Sequence, residues 1–518
     1  MKMSKRFVRS AILITSSVLC LTACFPLSLL DQVSGETSVP VAEGAPAGFE
    51  SYYAQPIVWS FCGIDVQCGS VSAPTDWSDP LSTPIELSLT RHLASEQPAR
   101  GDLLVNPGGP GESAATFIRE SADRAVDAPI LEAYNIVGLD PRGVGASTPV
   151  TCYTNPADMD RSLYDIPVAT RNSIAWNEEL QRRATDFGEA CLKNTGELLG
   201  FVDTESSARD MDMVRAAMGN LTLDYLGYSY GTFLGATYAD LFPSRVGRMV
   251  LDGAIDPTAT MDASSDDQAV AFEGALNAYL DWCVSGGDCP LGDSVPEASG
   301  AMTLLLSGVD TQPLTNTDGR LMGADTLVTA IANTLYDDSA WSYLSDMLRA
   351  AMDGDPSIAF ESADSYNGRS PDGTYETNTT EAFIAINCAD ASPDEASAGG
   401  GTSEQTNVTV VSGKAPILGP YLVSPIDPCS NWPVIGRGST RPLHAEGAPD
   451  LLVIGTTNDP ATPYADAVSL SEQMSSAHLV TFDGEGHTAY NRGNSCINDI
   501  VNEYFLRGTV PPRDVVCS

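Results

Sequence analysis

The 518-residue chain is poor in positive charge: 27 Lys and Arg stand against 68 Asp and Glu, a formal net charge of −41. Nucleic-acid binding needs clustered Lys and Arg to release phosphate counterions, and docking on anionic lipid needs a basic patch, so neither partner is expected. Histidine is scarcer still, with four in the whole chain, which leaves little room for a histidine-rich metal site. No two cysteines have the Cys-x-x-Cys spacing of a zinc site, and no metal or organic cofactor is expected. No self-similarity at a period of about 20–50 residues marks a repeat array. At 43 % hydrophobic and 18 % charged, the chain is too apolar for disorder and too long for a disulfide mini-protein. What remains is a soluble, acidic, globular enzyme or small-molecule binder. Its length fits several domains, or one large domain with an insertion.

The first ten residues carry Lys2, Lys5, Arg6 and Arg9 and no acid, and residues 11–23 are an apolar run. That run is shorter than the about 20 residues that span a bilayer. A basic segment followed by a short apolar one is the pattern of a secretory signal peptide, so residues 1–23 are read as one. The run ends in Leu21-Thr22-Ala23-Cys24, which resembles the lipobox of bacterial lipoproteins. The resemblance implies cleavage before Cys24 and a lipid on its sulfur, which would be the only membrane attachment; plain secretion is the alternative. Residues 24–58, rich in Ser, Gly, Pro and Ala, read as a tether. Beyond Cys20 and Cys24, ten cysteines remain. An even number in an exported chain favours disulfides, and sequential pairing is expected: 62–68, 152–191, 283–289, 388–429 and 496–517.

From residue 71 to 256 short apolar runs alternate with helical patterns. Strands are expected at Ile85–Leu89, Leu103–Asn106, Tyr134–Leu139, Leu223–Tyr228 and Met249–Asp252, with helices at Ser206–Met218 and Phe233–Leu241. The pattern resumes at Leu451–Gly455 and His478–Phe482. Such alternation implies an α/β fold built on a largely parallel, doubly wound sheet. Residues 59–256 and 450–518 are its two pieces, and 257–449, helix-like and loop-rich, are a lid inserted between them. Within the lid, Ala391–Thr406 is rich in Gly, Ser and Ala and reads as mobile.

Gly227-Tyr228-Ser229-Tyr230-Gly231 fits Gly-x-Ser-x-Gly. A strand run precedes it and a helical pattern follows, the context in which the two glycines permit a tight turn that presents the serine hydroxyl. The same turn puts Ser229 at a helix N-terminus, which favours developing negative charge. A serine needs a base. His487, in Asp483-Gly484-Glu485-Gly486-His487-Thr488, lies just after a strand at the sheet edge where open α/β folds bind ligands. His92, His444 and His478 lack that placement; His478 begins what reads as the final strand. The acid that orients the base is expected at Asp459, with Asp252 and Asp256 as alternatives and turn formation or helix capping as their competing role. Asn106-Pro107-Gly108-Gly109-Pro110-Gly111 follows a strand where an oxyanion loop belongs, so Gly109 N–H is expected to act with Tyr230 N–H.

Asn106–Gly111 and Gly227–Thr232 are joined by the Asp140–Ser147 turn and by Leu251–Pro257, Ala385–Asp390, Thr457–Pro463 and Gly484–Thr488. In that order, over about residues 59–518, the chain resembles the α/β-hydrolase peptidases related to proline iminopeptidase, in particular the secreted tripeptidyl aminopeptidases of actinobacteria and their lipoprotein members. The resemblance implies an α/β-hydrolase fold with a large, mainly helical lid, and a triad of Ser229, Asp459 and His487. Glu112-Ser113-Ala114 departs from it, because the family usually has small residues and glycine there.

The expected activity is that of a serine exopeptidase that releases short peptides, tripeptides first among them, from polypeptides with a free N-terminus. Asp390 and Glu112 are candidates for holding the substrate ammonium, against a structural or solvated role. An esterase or lipase on the same fold, and a catalytically silent binding lipoprotein, are the alternatives.

Overall fold

Ten of the apolar and alternating segments pair into one sheet in the computed structural model, which describes residues 36–391 and 411–518. In chain order the strands are β1 (Ser60–Gly63), β2 (Val66–Pro74), β3 (Pro84–His92), β4 (Asp102–Asn106), β5 (Asn135–Leu139), β6 (Leu223–Tyr228), β7 (Val246–Asp252), β8 (Leu314–Thr315), β9 (Leu321–Met322), β10 (Leu451–Asn458), β11 (Ala477–Glu485) and β12 (Val515–Cys517). The sheet order is β1-β2-β3-β5-β4-β6-β7-β10-β11-β12, and β8 and β9 form a separate hairpin. The β1–β3 meander joins β5 antiparallel, and every pairing from β5 to β12 is parallel. This is an α/β-hydrolase sheet.

Side chains alternate across it, as the two-residue period of a strand requires. Leu103, Val105, Leu226, Val250, Leu452 and Ile454 pack on one face, while Leu104, Tyr225, Met249, Leu251, Leu451 and Val453 pack on the other. Helices cover both faces, so the central strands are apolar on both sides. The chain leaves β4 toward β5, then crosses back to lay β6 on the other side of β4. The loops after β4 and β6 therefore diverge at a topological switch point, where open α/β sheets bind ligands.

Between β7 and β10 lie the helices Met261–Gly286, Val295–Thr311, Ala324–Leu335, Trp341–Met352 and Ser357–Tyr366. They bury a core of their own around Leu276, Leu280, Met302, Leu327, Ile331 and Leu348. The helix Thr379–Asp390 instead packs Ala382, Ala385 and Ile386 into the core of the sheet domain. Among the described residues no helix is long and apolar enough to cross a membrane.

Three sequence expectations change. Residues 36–58 are no free tether: Phe49, Tyr53 and Ile57 are buried, Tyr53 donates to Asp212 at 2.7 Å, and Val41 N donates to Ala216 O at 2.9 Å. The aromatic and β-branched side chains within that Pro/Gly-rich stretch supply enough apolar surface to dock it. The strand that begins at His478 is not the final one, because β12 pairs beyond it. The lid also gains a contribution from before β6. Tyr164, which ends the helix Pro156–Tyr164, enters the lid core, and Arg171 pairs with Asp310 and Asp325 at 3.0 and 2.8 Å. Cys24 and nearly all of Ala391–Thr406 fall outside the described residues.

All five expected disulfides are present: Cys62–Cys68, Cys152–Cys191, Cys283–Cys289, Cys388–Cys429 and Cys496–Cys517. Cys388–Cys429 ties partners 41 residues apart, against 6 for Cys62–Cys68. If loop-closure entropy dominates, removing the first pair as Cys388→Ser/Cys429→Ser costs about 4 kcal/mol and removing the second about 2 kcal/mol. Urea unfolding of the two double variants checks this, and equal losses would refute the entropic ranking.

Candidate active site

β6 ends at Tyr228 and a helix begins at Tyr230, so Ser229 occupies the single residue of the turn. Its φ of 55° and ψ of −126° are a strained setting for a residue with a Cβ. The neighbours allow it. A Cβ on Gly227 would lie 2.3 Å from the Gly231 carbonyl oxygen, so only glycine lets the turn close. Ser229 N donates to Asp252 O at 2.9 Å, and Thr232 donates to Ser229 O from both its N (2.8 Å) and its Oγ1 (2.6 Å). The strain is thus held by hydrogen bonds on either side of the serine.

His487 follows β11 and is 7 % exposed, with Nδ1 lying 2.8 and 2.9 Å from the two Asp459 oxygens. Asp459 also accepts from Ala461 N, Thr462 N, Thr462 Oγ1 and Thr488 N, at 2.9 to 3.1 Å. Burial opposes its ionisation, but the His487 charge and these donors outweigh burial and hold its carboxyl below the usual range. With Nδ1 committed to Asp459, Nε2 is the nitrogen left for proton transfer.

Asp252 joins this pair to the nucleophile turn. Its main-chain oxygen takes Ser229 N, and its carboxylate accepts from Ala489 N and Tyr490 N at 2.8 to 3.1 Å. The next residue, Gly253, lies so close to the base that a Cβ there would stand 3.3 Å from His487 Cε1. Burial pushes the Asp252 carboxyl up to about 6, against the pull of its backbone donors. Asp256 is taken up by Thr258, Ser469 and Gln473. Of the three acids weighed from the sequence, only Asp459 bonds to the imidazole. The other histidines lie elsewhere: His92 on β3, His444 against Gln473 O at 3.1 Å, and His478 at the start of β11, 3.2 Å from Asp450.

The loop after β4 folds over Ser229. Gly108 has φ +105°, and a Cβ on it would lie 2.8 Å from Ser229 Cβ, so a larger residue would occupy the space above the serine. Asn106 Oδ1 accepts Gly108 N at 3.0 Å and sets the loop. Among the described residues neither Gly109 N–H nor Tyr230 N–H has a backbone partner outside its own helix, and Tyr230 is the first residue of that helix. Both are therefore available to an anion, Tyr230 with the helix dipole behind it. The Asp140–Ser147 turn has a supporting role. Asp140 accepts from Ser113 Oγ, Ala115 N and Ala146 N, and Arg142 is buried on Asp210 at 2.7 Å.

A cavity of about 460 Å³ opens beside Gly109, Pro110, Tyr230 and Thr462 and runs beneath the lid. Its described lining includes five aspartates (Asp256, Asp262, Asp390, Asp427 and Asp466) and no Lys, Arg or His. Burial, reinforced by Asp256 and Asp267, pushes the Asp466 carboxyl up to about 7. Asp390 lines the wall, but its oxygens accept from Thr204 N, Thr204 Oγ1 and Ser439 Oγ at 2.5 to 2.8 Å, so it caps the helix Thr204–Met218. Glu112 lies outside this lining but beside Gly109, where a Cβ would stand 3.5 Å from Glu112 Cγ. No group of three or more metal-ligating side chains occurs among the described residues.

Two contributors escaped the sequence reading. Thr462 Oγ1 is 3.0 Å from Asp459 and 3.3 Å from His487 Nδ1; its place three residues after the acid was the available signal. Tyr336 of the lid accepts His487 N at 2.9 Å through its carbonyl and sets its ring edge-on to the imidazole, centroids 5.3 Å apart. No local pattern marks a contact between residues so far apart in sequence.

Residues 415–517 match the family model described as TAP-like protein. Over 92 % of its length the chain is 32 % identical to Serine protease Hip1 of Mycobacterium tuberculosis, covering 94 % of that protein. The chain belongs to the TAP-like family of α/β-hydrolases. It is also 32 % identical to Tripeptidyl aminopeptidase of Streptomyces coelicolor, covering 94 % of the chain and 89 % of that protein. Carboxylesterase B of Mycobacterium tuberculosis is 38 % identical, covering 87 % of the chain and 86 % of that protein. As a member of the TAP-like family the protein is a serine hydrolase, and its relatives support a serine peptidase.

Replacing the acid tests the assignment within this TAP-like site. Asp459→Asn keeps the packing but offers the imidazole an amide, and it is expected to lower kcat by about 10⁴-fold. Asp252→Asn, which leaves the His487 ring contacts in place, is expected to lower kcat by roughly tenfold or less. Steady-state kinetics of both variants check this; the larger loss in Asp252→Asn would transfer the acid role to Asp252.

Proposed function

We propose that the protein is an exported serine exopeptidase that removes short peptides, principally tripeptides, from the free N-termini of polypeptides. The observation that carries the reading is the acidic cavity. A volume of about 460 Å³ next to Gly109 and Tyr230 suits a bound segment of a few residues. Asp262 and Asp466, in a described lining that holds no Lys, Arg or His, favour a cationic end, which a free N-terminus supplies. Relatives named as a tripeptidyl aminopeptidase and a serine protease support the same reading.

In this mechanism Ser229 Oγ attacks the scissile carbonyl as His487 Nε2 takes its proton. The carbonyl oxygen becomes an anion held by the N–H groups of Gly109 and Tyr230. Collapse of the intermediate breaks the C–N bond while His487 returns the proton to the departing amine. Water, deprotonated by the same imidazole, then releases the short peptide and restores Ser229. Asp459 keeps the imidazole in the tautomer with Nδ1–H and stabilises its cation. The relative named Carboxylesterase B favours a second reading, ester hydrolysis by the same groups.

A panel of chromogenic mono-, di- and tripeptide amides, each with and without an N-terminal block, separates these readings when run beside a short acyl ester and a Ser229→Ala control. Fastest Ser229-dependent turnover of the unblocked tripeptide is expected. Turnover of the ester alone would leave the serine hydrolase standing and remove the peptidase. Equal rates for blocked and unblocked peptides would remove the N-terminal requirement.

We also propose that the chain is exported through residues 1–23 and anchored by a lipid on Cys24. Five disulfides support an oxidising compartment. Labelled palmitate is expected to enter the wild type expressed in a bacterial host and to be lost from Cys24→Ala; equal labelling of both would refute the anchor.

A further inference from the structure

Glu112 is a carboxylate that the mechanism leaves unused. It directly follows the oxyanion loop and precedes Ser113, which caps the helix Ala114–Ala125. Its side chain is open to solvent, and no hydrogen bond or ion pair engages it among the described residues. The groups that feel its charge belong to the lid: the hydroxyls of Tyr336 and Tyr366, which also interact with each other. Tyr336 is the residue whose carbonyl holds His487 N and whose ring stands edge-on to the imidazole. Tyr366 and Tyr336 thus form a wall that adjoins His487 and feels the Glu112 charge. The acidic cavity has a different wall, bounded by Gly109, Tyr230, Phe233 and Thr462, and none of Glu112, Tyr366, Tyr336 and His487 lines it, although Glu112 stands beside Gly109 at its edge.

The chemistry gives the two walls different partners. His487 hands its proton to the departing amine, so the departing chain emerges along the wall that His487 shares with the two tyrosines. The segment retained on Ser229 then occupies the acidic cavity. We propose that Glu112 is a specificity-determining residue on the departing side, where its carboxylate receives the Lys or Arg side chain of one of the first residues after the scissile bond. This inference rests on the peptidase reading above and adds a substrate preference to it. Glu112 is reached by solvent yet crowded by the surrounding protein, and this partial desolvation pushes its carboxyl up, with no donor or cation among the described residues to offset it. A substrate cation would supply the missing partner. The loop that carries Glu112 is held firmly, since a side chain on Gly111 would meet the Thr379 carbonyl at 2.6 Å. The main chain from which the carboxylate projects is therefore fixed.

The test uses the full-length protein and unblocked peptides that share one N-terminal tripeptide and differ only in the next residue: Lys, Arg, Leu or Glu. The readout is the ratio of kcat/KM values within each enzyme, which cancels any general loss from a substitution. The wild type is expected to favour Lys and Arg over Leu by roughly fivefold. Glu112→Gln should bring that ratio close to one, and Glu112→Lys should turn the preference toward Glu. A Lys-to-Leu ratio that survives Glu112→Gln overturns the proposal. If Glu112→Gln instead erases the difference between blocked and unblocked tripeptides, Glu112 holds the N-terminal ammonium and the proposal is likewise overturned. Wild-type enzyme that cleaves none of the peptides yet hydrolyses the ester removes the peptidase reading itself, a result distinct from the other two.

Discussion

The candidate site depends on the alignment of neighbouring strand ends, and that alignment is keyed at Asp252. In the register of the sheet, Asp252 stands beside Tyr228 on β6 and Ile454 on β10. Its main-chain oxygen holds the nitrogen of Ser229, while its carboxylate holds the two amides that follow Thr488. One residue thus fixes both the strained nucleophile turn and the loop that carries the base. Because it is buried, these hydrogen bonds are made without competition from water, and leaving their donors unmet would cost about 1–3 kcal/mol each. Asp459 completes the arrangement by binding Thr462, Thr488 and the imidazole at once.

The lid completes this site as well as covering it. Tyr336 fixes the main chain at His487, and the helix Thr379–Asp390 braces the oxyanion loop at Gly111. That helix is tied by Cys388–Cys429 to the chain that returns toward β10, and Glu381 accepts from Cys152 N and Tyr153 N at 2.8 Å. The lid therefore shares hydrogen bonds with the sheet domain at the residues that surround the reacting atoms. A substitution in its core reaches the imidazole and the oxyanion donors through these contacts.

Charge is divided along the same lines. Deep in the sheet domain acids are paired: Arg142 with Asp210, and Arg215 and Arg245 with Asp212. Breaking such a pair from one side costs about 3–5 kcal/mol, because the remaining charge is left buried alone. Around the cleft, by contrast, Asp466 and Glu112 have no basic partner among the described residues, and loss of solvation raises both carboxyls. Acids held in this state favour a ligand that brings its own positive charge.

Features that rest on short stretches of chain were legible from the sequence. The unbroken apolar runs in Leu103–Asn106 and Met249–Asp252 encode strands buried on both faces, because helices cover the sheet on either side. Gly227 and Gly231 encode the turn at Ser229 because a Cβ on Gly227 would meet the Gly231 carbonyl oxygen at 2.3 Å and one on Gly231 the Asn106 carbonyl oxygen at 2.8 Å. Cysteines 6 residues apart, as in Cys62–Cys68, are close neighbours whatever the fold. What only the tertiary structure decided comes from distant segments meeting. It docks residues 36–58 on the body instead of leaving them as a tether, adds β12 beyond β11, and sets Tyr336 against His487. It also separates two acids that look alike in sequence, since Asp390 is consumed by Thr204 and Ser439 while Glu112 has no hydrogen-bond or ion-pair partner among the described residues. Local pattern records which conformations a segment tolerates, whereas the partners of a side chain are set by how the whole chain packs, and those partners decide which carboxylate is left for a substrate.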